Sequence, residues 1–136
     1  MRIAVAAGFL LALFGCAQPG TPIPQHRTRG LPEGFPEDIP LHIDFSIVKS
    51  YASEDAKFFA VKMTTSLELY EIHYFFHTQL TGRGYSLEQQ SSGPKGGGIM
   101  VFENENRRIE VTIGTEMGKR TILLRLKIKR TEGREP

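Results

Sequence analysis

Two short runs of alternating apolar and polar residues predict a pair of strands early in the chain. The first run covers residues 43–48 and the second covers residues 57–64, with the polar segment 53–55 between them. Successive side chains of an extended chain point to opposite faces, so each run places its apolar residues on one face. The two runs are therefore interpreted as a β-hairpin.

The period changes to that of a helix over residues 65–83. Thr65 and Glu68 have the spacing of a capping box, which satisfies free amides at a helix start, and Gly82 and Gly84 suit the left-handed conformation that ends helices. Apolar residues then recur every three or four positions on one stripe: Leu69, Ile72, Phe76 and Leu80, with Phe75 at its flank.

Strand-like runs return after the helix, at residues 85–90, 99–103, 109–113 and 121–129, with short polar or glycine-rich turns between them. Short turns force neighbouring strands to be antiparallel. We therefore expect an α+β fold with a single antiparallel sheet of about five strands and one α-helix packed on one face. The expected order is ββαβββ, with possible variation at the third strand.

Length and composition leave room for one modest domain. The chain has 136 residues with a formal net charge of +2, which disfavours a dedicated nucleic-acid binder. The only cysteine is Cys16. A single thiol excludes an internal disulfide and a zinc or iron–sulfur site made of several cysteines of one chain.

The first fifteen residues have the pattern of a signal peptide. Arg2 precedes twelve mostly apolar residues, 3–14, and Gly15 and Cys16 follow. Twelve helical residues rise about 18 Å, too little to span roughly 30 Å of hydrocarbon. We expect residues 1–15 to be removed.

The run Leu13-Phe14-Gly15-Cys16 resembles the lipobox of bacterial lipoproteins, in which the cysteine is acylated and the chain is cut before it. The resemblance implies a lipidated Cys16 and durable attachment to a membrane, because two or more acyl chains anchor stably. Since Ala17 is not the usual inner-membrane retention residue, it points to the outer membrane, facing the periplasm, in an organism with two membranes. An ordinary secretory signal or an uncleaved anchor is the alternative.

A linker and a tail flank the predicted domain. Residues 16–34 combine the lipidated cysteine with a segment rich in proline and glycine that lacks apolar periodicity, which favours a flexible tether. Its basic residues either lie against anionic lipid or are simply solvated. The globular domain is expected over residues 35–130 and a disordered tail over residues 131–136.

Two motifs of the domain resemble a family of small uncharacterised bacterial lipoproteins. One is Phe35-Pro36-Glu37-Asp38-Ile39-Pro40, and the other is the helix pattern from Ile72 through Phe75, Phe76 and Leu80 to Gly84-Tyr85, similar to V-x-x-F-Y-x-x-x-L-x-x-x-G-W. The matching residues occupy core and cap positions. The resemblance therefore implies a lipoprotein with one α+β domain, and it offers no catalytic residue to carry over.

The sheet face away from the helix is the candidate interaction surface. A mixture of apolar and basic residues with no second helix to cover them is typical of a contact face, although antiparallel sheets often expose such a face to solvent. The basic last strand is open to three interpretations: pairing with acids across the sheet, protection of a sheet edge, or a patch for anionic polymer. The candidate residues are Phe58, Lys62, Arg108, Leu123, Arg125 and Lys127.

Sites for chemistry are weakly indicated. His73 and His77 are four residues apart, a spacing that lets two imidazoles reach one metal, but no third ligand is evident and surface packing is the preferred interpretation. Gly96–Gly98 is followed by no phosphate-binding lysine motif and is interpreted as a hairpin tip. No nucleophile–base arrangement stands out, so no cofactor, no metal and no enzymatic activity are expected.

These observations favour an envelope lipoprotein with a non-enzymatic binding domain, anchored outside the cytoplasm through Cys16. Its expected partners are the membrane, reached through the acyl chains, and an envelope protein or an anionic polymer. The alternative function is a small-ligand carrier or sensor with a pocket between the helix and the sheet.

Overall fold

The computed structural model describes residues 30–93 and 97–129. The predicted signal peptide (residues 1–15), the acylation site Cys16, most of the linker, Gly96 and the tail (131–136) lie outside the described residues. The strands are β1 (Ser46–Ala52), β2 (Phe58–Thr65), β3 (Ser86–Ser92), β4 (Gly98–Glu103), β5 (Arg107–Glu116) and β6 (Lys119–Ile128), and the helix α1 (Leu69–Thr81) lies between β2 and β3.

The α+β class and the single antiparallel sheet are confirmed, but the sheet has six strands and the order is ββαββββ. The order across the sheet is β1-β2-β6-β5-β4-β3, and every neighbouring pair is antiparallel. The expectation of about five strands was wrong because all four apolar runs after the helix form separate strands. Since directions alternate, β2 and β3 run the same way, and α1 makes the crossover between them.

The helix is stabilised by a capping box at its start and by one buried apolar stripe. Glu68 is the N-cap and forms a capping box with Glu71, one turn later than the predicted box at Thr65, because Thr65 still belongs to β2. Ile72, Phe76 and Leu80 are buried as the spacing predicts.

Only one of the two glycines that were predicted to end the helix adopts the left-handed conformation. Gly82 keeps helical angles, whereas Gly84 has φ +93°. The amide of Tyr85 then donates to the carbonyl of Leu80 at 3.1 Å, which satisfies a carbonyl in the last turn and directs the chain into β3.

The core lies between α1 and one face of the sheet. Alternate residues of β2, β4, β5 and β6 point into it and have almost no exposure, as the period of two requires. Leu31 and Phe35, from the segment before β1, pack against the same cluster. The largest fully buried side chains include Phe59, Phe76, Phe102, Met63, Ile72 and Leu80.

The first strand departs from the sequence pattern. β1 begins at Ser46 and contains a bulge at Val48, so Ile47 pairs with Met63 while Lys49 pairs with Lys62. An extra residue in one strand shifts the phase of its side chains. Phe45 and Ile47 still pack against the core as the alternation predicts, whereas Ile43, in the turn before β1, and Val48, at the bulge, are exposed.

Candidate binding groove on the open sheet face

The sheet face away from α1 is crossed by rows of directly paired residues. In the row at the start of β2, Phe58 pairs with Lys127 of β6, and Lys127 pairs with Arg108 of β5. In the third row along the strands, Lys62 pairs with Leu123. The six candidate residues therefore share one face, but they do not form one cluster.

Three of the cations on this face have acidic partners. Arg125 donates to Glu110 at 2.8 Å, and the two residues are direct neighbours across β5 and β6. Lys62 donates to both carboxylate oxygens of Glu116 at 3.1 and 3.2 Å. Arg108 donates to Glu103 of β4. Cross-strand neutralisation thus accounts for most of the charge on the middle of the sheet.

Four cations line a cleft of about 730 Å³ at one end of the face. The cleft brings together the ends of three elements: the turn between β1 and β2, the start of β5 and the last residues of β6. Its lining residues are Ser53, Asp55, Lys57, Phe58, Arg108, Lys127, Ile128 and Lys129. We call it the basic groove.

The β1–β2 turn forms one wall of the basic groove through a hydrogen-bonded loop. The hydroxyl of Ser53 donates to Asp55 at 2.7 Å and accepts from the amide of Phe58 at 3.0 Å. The amide of Lys57 donates to Asp55 at 3.1 Å. These bonds, that of the Ser53 hydroxyl first, lower the pKa of Asp55. They fix the backbone that carries Lys57 and Phe58.

Glu103 organises the opposite wall. It accepts from Lys129 at 2.9 Å and from Arg108 at 2.7 Å, and Lys129 also donates to the carbonyl of Asn104 at 2.8 Å. The two cations, Lys129 before Arg108, lower the pKa of Glu103. One carboxylate therefore neutralises part of the charge of two groove cations.

Among the described residues, Lys57 and Lys127 have no such partner. Within residues 30–93 and 97–129, no carboxylate lies within 4 Å of either ammonium group. Both side chains are exposed, and half-buried Phe58, next to Lys57 in sequence and paired with Lys127 across β2 and β6, lines the same groove. The groove therefore offers two free ammonium groups beside an aromatic ring, an arrangement suited to an anionic ligand that has an apolar part.

Half of the six residues predicted from the sequence line this groove. Phe58, Arg108 and Lys127 belong to its lining, whereas Lys62, Leu123 and Arg125 lie further along the strands. Sequence reasoning missed Lys57 and Lys129, because their proximity depends on the pairing of β2 with β6. The only available signal was that both lysines sit at the end of a predicted strand.

The last strand does not protect a sheet edge. β6 lies between β2 and β5, so this interpretation of its basic residues was wrong. The edges of the sheet are β1 and β3. Pairing with acids across the sheet is observed for Arg125, while Lys127 has no carboxylate within 4 Å in the part of the chain that the structure describes.

The histidine pair is divided between core and solvent. His73 is half-buried, its Nδ1 is buried without a hydrogen-bond partner, and burial lowers its pKa. His77 is exposed. The part of the chain that the structure describes holds no group of three or more His, Cys, Asp or Glu side chains arranged to bind a metal ion.

A second cleft, of about 600 Å³, lies at the other end of the strands. Asp44 lines it and accepts hydrogen bonds from the hydroxyl of Thr65 at 2.7 Å and from the amide and hydroxyl of Ser66, each at 2.9 Å. These bonds, that from Thr65 first, lower the pKa of Asp44. Glu68, Gly118 and Arg120 also line this cleft.

Comparisons of the chain with protein-family models, with curated proteins and with solved structures found no match. The class is thus defined by the fold itself: a six-stranded antiparallel sheet with one crossover helix and an open, partly basic face. Among the described residues, no helix has the length and apolar character needed to cross a bilayer.

Proposed function

We propose that the protein is an envelope lipoprotein, anchored through an acylated Cys16, whose domain binds an anionic polymer of the cell envelope at the basic groove. The observation that carries the binding proposal is the pair of lysines, Lys57 and Lys127, that lack a carboxylate partner among the described residues. The domain acts by binding and not by catalysis.

The chemistry of the groove supports a polymer with repeated anionic groups. Four cations line the cleft, and two of them share Glu103. Ammonium groups on flexible stems attract charge without demanding one geometry, unlike a bidentate arginine site. Such a surface suits a chain of anionic units, with Phe58 and Ile128 covering its apolar parts.

The packing of the domain favours surface binding over a carrier function. Ile72, Phe76 and Leu80 of α1 are fully buried against the sheet. The basic groove lies on the opposite face, and the second cleft lies at the end of the strands. Apolar side chains therefore occupy the space in which a carrier would hold its ligand.

Membrane attachment is supported by the lipobox-like run at residues 13–16. Its test is to express the full chain with Cys16→Ser and compare flotation with membranes. We expect the wild-type chain to float and to carry acyl chains on Cys16 by mass spectrometry, and the variant to stay in the soluble fraction. Equal membrane binding of the two would refute acylation as the anchor.

Binding is tested with polyphosphate, polyglutamate and uncharged dextran as probes. We expect the full chain to bind the two polyanions, more weakly as salt rises, and to ignore dextran. Lys57→Gln and Lys127→Gln should each weaken binding about two- to fivefold, the effect of one exposed charge pair.

The matched control is Lys119→Gln, which removes an exposed lysine near the second cleft and leaves the basic groove intact. This substitution lowers the net charge by one, as Lys57→Gln and Lys127→Gln do. If all three variants weaken binding equally, the effect is one of overall charge and the basic groove is not the site. Pull-down of an acidic protein in place of polymer binding would replace the proposed partner class.

A further inference from the structure

Among the described residues, three of the six exposed large apolar side chains lie at the end of the domain opposite the basic groove. They come from separate segments around the second cleft, and we call Ile43, Tyr70 and Met117 the apolar rim. Ile43 precedes Asp44, Tyr70 lies in the first turn of α1, and Met117 precedes Gly118. Their exposed fractions are 57%, 72% and 99%.

Met117 occupies a turn position whose backbone conformation is unfavourable for methionine. Glu116 pairs with Lys119, so Met117 and Gly118 form a two-residue hairpin loop, and both have positive φ, at 50° and 79°. Such loops favour Asn or Gly at the first position, because a side chain with a Cβ is strained there. A fully exposed methionine at a strained position is not explained by folding.

The charged groups at this end leave Lys119 available. Glu116 is bound by Lys62, Asp44 accepts three hydrogen bonds, and Glu68 lies 3.9 Å from Arg120. Lys119 is exposed, with no carboxylate within 4 Å among the described residues. Tyrosine and other apolar side chains beside lysine and arginine are typical of segments that lie at the bilayer interface.

We propose that the apolar rim docks the domain onto the lipid surface to which the chain is tethered. This inference rests on the proposed attachment through Cys16. Gly30 lies beside Ile47 near the start of β1, and thirteen residues, or fourteen Cα–Cα steps, separate it from Cys16. An extended segment of that length reaches at most about 50 Å. The tether therefore allows the rim to reach the membrane and keeps its local concentration high.

Docking by the rim gives the domain a defined orientation. Phe58 begins β2 and Thr65 ends it, so the basic groove and the second cleft are separated by about 23 Å of strand. With the rim against the lipid, the basic groove opens away from the membrane. An anionic partner in the surrounding envelope then meets the free lysines without competition from anionic lipid headgroups.

The test measures oxidation of Met117 by hydrogen peroxide in the full acylated chain, reconstituted in phosphatidylethanolamine–phosphatidylglycerol vesicles, against the soluble Cys16→Ser chain. Met63 and Met100, at 0% and 1% exposure, are internal controls for intact folding. We expect Met117 to oxidise roughly threefold or more slowly on vesicles, which corresponds to docking about two-thirds of the time. Equal rates on a chain that floats with vesicles overturn the inference.

Two further variants separate docking from general crowding. Glu54→Met places an exposed reporter in the turn beside the basic groove, and its oxidation should be unchanged by vesicles. Tyr70→Ser should reduce the protection of Met117, whereas Tyr51→Ser, at a tyrosine outside the rim with 58% exposure, should not. Equal protection of both methionine reporters, or equal effects of both serine variants, also overturns the inference.

The proposed anchor can fail separately, because flotation reports attachment while oxidation reports contact by the rim. If the wild-type chain does not float, the same oxidation assay is run with vesicles added to the soluble chain. Protection of Met117 in that case still supports a lipid-binding rim. Its absence refutes the rim.

Discussion

Replacing Glu103 with glutamine is expected to move stability and ligand binding in opposite directions. Glu103 accepts from Lys129 at 2.9 Å and from Arg108 at 2.7 Å, and its side chain is 27% exposed. Both cations are more exposed, at 35% and 43%, so solvent screens the two ion pairs. Exposed pairs contribute about 0.2–1 kcal/mol each. The loss in free energy of unfolding is therefore about 0.5–2 kcal/mol, or roughly 2–16 °C in melting temperature for a domain of this size.

The same substitution frees two cations of the basic groove. Removing one negative charge from the lining should raise affinity for polyphosphate about two- to fivefold, by the same range of pair energies. Stability is measured by urea unfolding and affinity by calorimetry at fixed salt. The stability difference should shrink as pH falls below the ordinary glutamate value, because the cations lower the pKa of Glu103 and the wild type loses its carboxylate in acid.

Glu110→Gln is the matched control for this prediction. Glu110 is 26% exposed and pairs with Arg125 on the same face but outside the groove lining. The Glu110→Gln variant should lower the free energy of unfolding and leave the affinity for polyphosphate nearly unchanged. If Glu103→Gln binds polyphosphate no more tightly than Glu110→Gln, then Glu103 does not restrain the groove cations and the electrostatic account of the site is wrong.

Three further predictions concern stability and are checked by urea unfolding. Phe76→Ala removes a ring with no exposure and should cost about 3–5 kcal/mol, far more than truncation of half-buried Phe58. Gly98→Ala should cost about 1–3 kcal/mol because its Cβ would collide with the carbonyl of Ser91, whereas the same change at Gly114, which meets only ordinary contacts, should cost little. Burial lowers the pKa of His73, so the unfolded chain binds its proton more readily and stability should fall as pH drops below about 6.5; His73→Gln should flatten this slope, and an unchanged slope would assign the effect to other groups.

Local patterns predicted the helix and the class of the fold well, for physical reasons. The stripe of Ile72, Phe76 and Leu80 has one period and one face to bury, so a single sequence suffices to place it. The count of strands was less accurate, because a run of five residues carries little pattern. The bulge at Val48 leaves no signature in composition, yet it changes which residues of β1 face solvent.

The candidate site was harder to predict because it depends on which strands are neighbours. Lys57 and Lys129 are far apart in sequence, and they meet only because β6 returns to pair with β2 between the hairpin and the rest of the sheet. Short turns indicate that consecutive strands pair, but the partner of β2 across the helix crossover is a long-range choice. The sequence therefore predicted a basic face and not the position of its groove.

Cross-strand pairing changes how the basic end of the chain is understood. Residues 107–136 hold nine Lys and Arg against four Asp and Glu, which looks like a uniformly cationic surface. On the sheet, Arg125 and Arg108 have carboxylate partners on neighbouring strands, which neutralise their charge within the fold. What distinguishes Lys57 and Lys127 from the other lysines without a carboxylate partner among the described residues is that they line one groove together. The binding surface of this domain thus depends on which cations lack an acidic partner. Variants that add or remove such a partner should therefore change the affinity for an anionic polymer more than variants that alter net charge elsewhere.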